Sequence, residues 1–256
     1  MGKNKLKKFA EMETFHNVFQ CGAREMVEGS SVVAMRGKWH EEYFHNDNPI
    51  VLELGCGRGE YTVGLAARYP NKNYIGIDIK GARMWAGAKQ AELAGMKNVA
   101  FLRTNIEMLP HFFAPNEVAE IWITFPDPQM KKATKRLTST YFMQRYAQLL
   151  QPNGLVHLKT DSPFLYTYTQ AMVKENKYPL LVDTDDLYGD RAIGQEGDEA
   201  RALQTHYEHQ WLDRGLTIKY LRWELNHAED LIEPDIDIEK DSYRSYGRNY
   251  VSTTNN

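Results

Sequence analysis

The segment Glu53-Leu54-Gly55-Cys56-Gly57-Arg58-Gly59 joins an acid to three alternating glycines, directly after the apolar run Ile50 to Leu54. Glycine has no Cβ, so such a loop lets the backbone pass close beneath a ligand. Asp78 closes the next apolar run. A carboxylate there can accept hydrogen bonds from both hydroxyls of a ribose. Together they predict a site for an adenosine-containing cofactor; the alternative is a tight turn without a ligand, which the second acid argues against. A dinucleotide would lay its pyrophosphate on the glycines, where Glu53 is unhelpful. The spacing is also Gly-x-Gly-x-Gly, not Gly-x-Gly-x-x-Gly. S-adenosylmethionine carries a sulfonium and an ammonium and no phosphate, so it suits Glu53 better. Glu53, Gly55, Gly57 and Asp78 are the expected cofactor contacts. Cys56 reads as a small apolar filler, with no neighbouring His to activate it. Asn105 sits where a side chain could meet adenine, or could cap a helix starting at Ile106.

A second constellation is Phe125-Pro126-Asp127-Pro128, followed by Lys131, Lys132, Lys135 and Arg136. Two prolines stiffen the backbone around one carboxylate, and the basic run can receive phosphates. A rigid connection beside a solvated charge run is the plainer alternative. Its place after a strand opposite the glycine loop favours a site, because ligands of parallel sheets bind beyond the carboxyl ends of the strands.

The elements that position these residues alternate. Strands are expected at Ile50 to Leu54, Tyr74 to Ile77, Val99 to Leu102, Ile121 to Phe125 and Leu155 to Lys159. Helices are expected at Arg58 to Arg68, Ala82 to Leu93, from Ile106, Ser139 to Leu150 and Pro163 to Glu175. That alternation predicts an α/β fold with a mostly parallel, twisted sheet and helices on both faces. Gln151-Pro152-Asn153-Gly154 is a turn signal. Leu180 to Val182 and Ile218 to Leu225 read as further strands, and Asp183 to Arg201 as a loop. The expected organisation is an N-terminal extension over 1–48 with a basic arm, a catalytic domain over 49–226 and a C-terminal tail over 227–256 whose last residues are disordered.

The chain has 256 residues, 42% of them apolar and 25% charged, values ordinary for a soluble globular protein. Two cysteines provide no disulfide framework. The lysine-rich start, Lys3 to Lys8, is followed by no apolar stretch, which excludes a signal peptide or membrane anchor as an expectation and points to the cytoplasm. The net charge of −3 opposes indiscriminate nucleic-acid binding, but the positive charge is clustered at Lys3, Lys5, Lys7 and Lys8 and at Lys131 to Arg136. Acid gathers at Asp183 to Asp190 and Glu229 to Asp241. The lysine arm reads most simply as a solvated tail, with contact to RNA as the alternative.

Phe125-Pro126-Asp127-Pro128-x-x-Lys131, with Lys135-Arg136-Leu137-Thr138, resembles the signature of the bacterial tRNA (guanine-N7)-methyltransferases. The resemblance extends to Leu52-Glu53-Leu54-Gly55, Gly76-Ile77-Asp78, Thr160-Asp161 and Thr205-x-Tyr207-Glu208, with Trp211 and Gly215 following. It implies a Rossmann-like class I methyltransferase fold and methylation of N7 of a variable-loop guanosine in tRNA, by a monomer or homodimer without metal. It implies cofactor contacts from Glu53, Asp78, Asn105 and Asp127, with Asp127 as the catalytic position. Substrate contacts are implied from Lys131, Asp161, Thr205, His206, Tyr207 and Glu208. Gln129 and Met130 depart from the family's Trp and its neighbour, and the basic segment is shorter and lacks its His.

Asp161 also fits a helix start, and Thr205 with Glu208 fits a capping box. An adenine-N6 methyltransferase would place an aromatic where Gln129 stands. A dehydrogenase is opposed by Glu53, and a non-catalytic RNA-binding module by the intact glycine loop.

Overall fold

The computed structural model describes residues 3–21 and 31–242. Eight strands form one sheet: β1 (Val18–Gln20), β2 (Ile50–Leu54), β3 (Asn73–Ile77), β4 (Val99–Arg103), β5 (Val118–Thr124), β6 (Leu150–Thr160), β7 (Leu180–Thr184) and β8 (Lys219–Leu225). Their order is β1-β4-β3-β2-β5-β6-β8-β7. The pairs from β1 through β6 are parallel, and only β8 runs antiparallel, against both β6 and β7. The chain order reverses on either side of β2. That makes the carboxyl end of β2 the crevice where ligands of open α/β sheets bind.

β2 and β3 are buried along their whole length, as strands covered on both faces must be. Alternate residues serve opposite cores. Ile50, Leu52 and Leu54 face one apolar cluster and Val51 the other. The second cluster is closed by α3 (Glu60–Arg68), α4 (Gly81–Leu93) and the connection from β7 to β8. The first is closed by α5 (Thr140–Tyr146), α6 (Pro163–Glu175) and a π-helical turn, Trp39–Phe44.

The segments outside 49–226 are joined to this body. α1 (Lys3–Met12) lies against α4, where Glu11 accepts from Lys89 Nζ (2.6 Å) and Trp85 Nε1 (2.8 Å). β1 extends the sheet beyond β4. After the four-residue helix α2 (Ser31–Ala34), Trp39 is fully buried, stacks on Phe113 and donates from Nε1 to the Phe112 carbonyl (2.9 Å). Beyond Asn226, Glu233 accepts from the Thr140 and Tyr168 hydroxyls, and Asp241 from the Ser162 hydroxyl and the Phe164 N–H. The expectation of a disordered end falls outside the described residues.

Two local expectations change. Where a turn is read at Gln151 to Gly154, β6 begins already at Leu150 and the expected helix stops at Tyr146. The turn residues survive as a bulge: Asn153 takes φ +58°, and the pairing with β5 jumps from Leu150 to Leu155. Within Asp183 to Arg201, a 3₁₀ turn at Gly194–Gly197 leads into α7 (Asp198–Arg201), seated by the buried Ala200. Among the described residues no helix is long and apolar enough to cross a membrane.

Candidate active site

A cleft of about 870 Å³ opens over the carboxyl ends of β2, β3 and β5. Its floor is the glycine loop. Gly55 and Gly57 take φ of +76° and +54°, and a Cβ on Gly55 would meet nothing within 4 Å, so this backbone faces open space. Gly59 instead packs tightly: a Cβ there would lie 2.6 Å from the Phe101 ring. One glycine therefore exposes the loop to a ligand and another lets α3 start close to the sheet.

Asp78 holds the loop in place. Its Oδ2 accepts from the Gly57 N–H (3.0 Å) and its Oδ1 from the Lys80 N–H (2.7 Å). Each oxygen keeps a second lone pair, and the carboxylate lines the cleft. Beside it Ile79 is an apolar side chain left 48% exposed, and it shares the cleft with Ile106.

Glu53 is buried at the end of β2. Oε2 accepts from the Thr62 N–H (2.8 Å) and hydroxyl, and Oε1 from the Thr124 hydroxyl (2.8 Å). A carboxylate offers about four acceptor positions, so one remains on Oε1, toward the cleft that Glu53 lines. Burial pushes its pKa up to about 7, against the lowering effect of Thr62 and Thr124. Cys56 is buried, and burial raises its thiol pKa well above the ordinary value, as a packing residue requires.

The opposite wall is the proline-flanked turn. Phe125 takes φ +48° and Gln129 φ +47°, both non-glycine residues in the left-handed region. Each such residue costs on the order of 1–3 kcal/mol and persists only where its surroundings impose it. Phe125 is held by donating its N–H to the Lys159 carbonyl (2.8 Å) and by an edge-on contact with Tyr207 (5.5 Å between rings). Between the two, Asp127 projects into the cleft, exposed, and accepts from the Gln129 N–H (3.0 Å).

Thr205, His206 and Tyr207 complete the wall. They begin α8 (His206–Leu212), where Thr205 and Glu208 form the expected capping box. Glu208 is elsewhere than a substrate contact requires. It is 0% exposed, bound to Lys159 Nζ at 2.7 Å and to the Tyr188 hydroxyl. Lys159, also 0% exposed, donates further to the Tyr61 hydroxyl (2.8 Å), the Ala200 carbonyl (2.8 Å) and the Leu203 carbonyl (3.1 Å). Burial lowers its pKa to about 8, against the opposing pull of Glu208.

Of the remaining expected residues, Lys131 lines a neighbouring hollow with Asp127, Gln129 and Lys240 rather than the main cleft. Asn105 is exposed beyond β4 and makes no side-chain cap; Ile106 lines the cleft in its place. Asp161 is fully buried beside Ser162, and it is Ser162 that caps α6, accepting from the Leu165 N–H (3.0 Å). Sequence reasoning missed Thr62, Thr124, Ile79 and Lys159. Ile79 carried a signal, an apolar residue directly after the ribose-type acid; the others are legible only once the strands are paired.

The sheet order, the antiparallel β8 and a cleft over β2 define a class I, Rossmann-like methyltransferase fold. Two solved structures share it: the 16S rRNA methyltransferase KamB, with a TM-score of 0.54 at 14% identity, covering 80% of this chain and 94% of that one, and an antibiotic-related methyltransferase, with a TM-score of 0.51 at 15% identity and the same coverage. A family model described as a putative methyltransferase matches residues 47–221. A protein of Bacteroides fragilis named tRNA (guanine-N(7)-)-methyltransferase is 59% identical over 97% of this chain and 96% of its own length. One of Porphyromonas gingivalis with the same name is 60% identical over 93% and 96%. The chain belongs to the tRNA (guanine-N(7)-)-methyltransferase family.

Proposed function

We propose that the protein transfers a methyl group from S-adenosylmethionine to N7 of a guanine in tRNA, the variable-loop guanosine implied by the family signature. The observation that carries this reading is the pairing, across one cleft, of an acid-bearing glycine loop with the strained Asp127 turn. The cofactor fits the residues present. Glu53, with one free acceptor position and a pKa near 7, suits the ammonium group. Asp78 suits the ribose hydroxyls, and Ile79 with Ile106 gives adenine an apolar seat. Bound there, the cofactor supplies an electrophilic methyl on a sulfonium.

Guanine N7 has a lone pair and no proton, so no general base is needed to expose it. What the protein must supply is alignment, which is chiefly a matter of proximity and orientation. Asp127, fixed by the two prolines and the Gln129 N–H, holds the base or the cofactor's amino group in register. Tyr207 and His206 offer flat faces to a base taken out of its stack. Lys131, in the adjoining hollow, receives a phosphate. Asp161 and Glu208 act from inside, beneath the segments that touch substrate. A tRNA substrate supports a cytoplasmic location.

The test is incubation with S-adenosylmethionine and unmodified tRNA, followed by cleavage chemistry specific for N7-methylguanosine. Cleavage at one variable-loop guanosine is expected. Incorporation at another atom, or none, overturns the reading.

A further inference from the structure

The lysine-rich start of the chain is absorbed by nothing in the cleft, yet it is a folded part of the molecule. α1 is seated on α4 through the Glu11 bonds to Lys89 and Trp85. Lys8 Nζ lies 4.4 Å from the centre of the Trp85 ring. Phe9 is sandwiched: Arg103 stacks on its ring at 4.7 Å, Lys5 Nζ approaches it at 6.0 Å, and its edge reaches Gly81 so closely that a Cβ there would lie 2.8 Å away. Gly81 is the first residue of α4, and its neighbours Lys80 and Arg83 are exposed on the rim of the cleft. Lys5 and Lys7 are exposed as well. The basic residues Lys80, Arg83 and Arg103 therefore lead from the cleft rim, past Phe9, to Lys5 and Lys7 on α1.

The molecule is polarised about these residues. α1 and β1 stand at one edge of the sheet. The exposed acids Asp183 and Asp185 stand at the other, on and just beyond β7. Of the tail's acids, Glu233 and Asp241 are bonded on α5 and α6, while Glu229, Asp230, Asp235, Asp237 and Glu239 are exposed on the tail itself. A polyanion whose target base enters the cleft is repelled from the β7 edge and attracted along α1.

We infer that α1 is a docking arm for the phosphate backbone of the RNA substrate, with Lys5 and Lys7 supplying the outer contacts and Lys80 and Arg83 the inner ones. This rests on the proposed tRNA substrate and adds the direction in which the RNA body lies. Each phosphate contact made by a lysine releases counterions, so affinity falls with salt by roughly 0.7–0.9 in log–log slope per contact.

The test uses the full chain and an unmodified tRNA transcript, comparing wild type with the double variant Lys5→Gln/Lys7→Gln. Expected are a KM for tRNA raised several-fold, a salt slope shallower by about 1.4–1.8 for two contacts, and kcat and the Kd for S-adenosylmethionine as in wild type. Reversal to Lys5→Arg/Lys7→Arg is expected to restore both KM and slope. An unchanged KM and slope in the variant overturns the arm while wild-type methylation of N7 still stands. Loss through kcat or cofactor affinity alone overturns it too, since that is a structural effect. A wild type that leaves tRNA unmethylated fails the functional reading itself, before the variant is compared.

Discussion

The turn from Phe125 to Gln129 and the cluster around Lys159 lie one hydrogen bond apart, and they are opposites. The turn exposes its acid, holds it by a single backbone bond and keeps two residues in the left-handed region. The cluster is closed to solvent, and its lysine meets a carboxylate, two tyrosine hydroxyls and two carbonyls. The Phe125 N–H to Lys159 carbonyl bond and the Phe125–Tyr207 ring contact couple them. The contrast separates two tasks. A carboxylate proposed to meet substrate is left with spare acceptor positions on a stiff, strained loop. The stability that tolerates this strain is supplied by a buried polar cluster whose lysine uses all three of its N–H donors inside the protein.

The largest effect that would break this comparison is expected inside. Lys159→Met leaves Glu208 charged and buried without its partner. Breaking a buried pair in this way destabilises by roughly 3–5 kcal/mol, readable by denaturant unfolding. The double variant Lys159→Met/Glu208→Leu is expected to recover much of that loss, because no unpaired charge remains. A single variant as stable as wild type would show that the cluster does not carry the wall.

Asp127→Ala is the converse. The side chain is exposed and its one bond is to Gln129, so unfolding should shift by no more than about 0.5 kcal/mol. If it aligns the reacting groups, kcat/KM for tRNA falls on the order of a hundredfold. Equal losses of stability and rate would erase the distinction between turn and cluster.

How much of this was legible beforehand follows the same divide. The turn was legible because proline, aspartate and lysine declare themselves locally, and the glycine loop because its phi angles are written in its residue types. That β2 to β6 are strands of a parallel sheet followed from alternation; their spatial order did not. The cluster was not legible. Lys159 reads as the end of a strand and Glu208 as a capping residue, and only the packing of α8 against β6 brings them to 2.7 Å. The same holds for residues 3–48, where Trp39, Phe19 and Tyr43 pack as a knot without the period of helix or strand. It also holds for β6, whose bulge at Asn153 looked like its beginning.

Glu53 stands between the two regions, buried like the cluster but with an acceptor position left over. Its pKa near 7 without cofactor must fall when an ammonium group binds, so binding releases a proton. Affinity for S-adenosylmethionine is then expected to be flat above about pH 7 and to weaken below it, by up to about tenfold per pH unit. Titration calorimetry in buffers of different ionisation heat reads the proton directly. Glu53→Gln should bind weakly at every pH with this dependence gone; a variant that keeps it would place the titrating group elsewhere.

The smallest effect concerns the seam. Thr205 caps α8 through the Glu208 N–H (3.2 Å) and also lines the cleft. Loss of a cap alone costs about 1 kcal/mol, so Thr205→Ala should lower stability by that much. Thr205→Ser keeps the oxygen and should keep the stability. If the hydroxyl serves only the helix, Thr205→Ser restores methylation as fully as it restores folding. If the threonine also meets the RNA, Thr205→Ala raises the KM for tRNA beyond what its stability loss explains, and Thr205→Ser corrects the two unequally. The start of α8 would then belong with the exposed turn, and the boundary between the working surface and its support would fall between Tyr207 and Glu208.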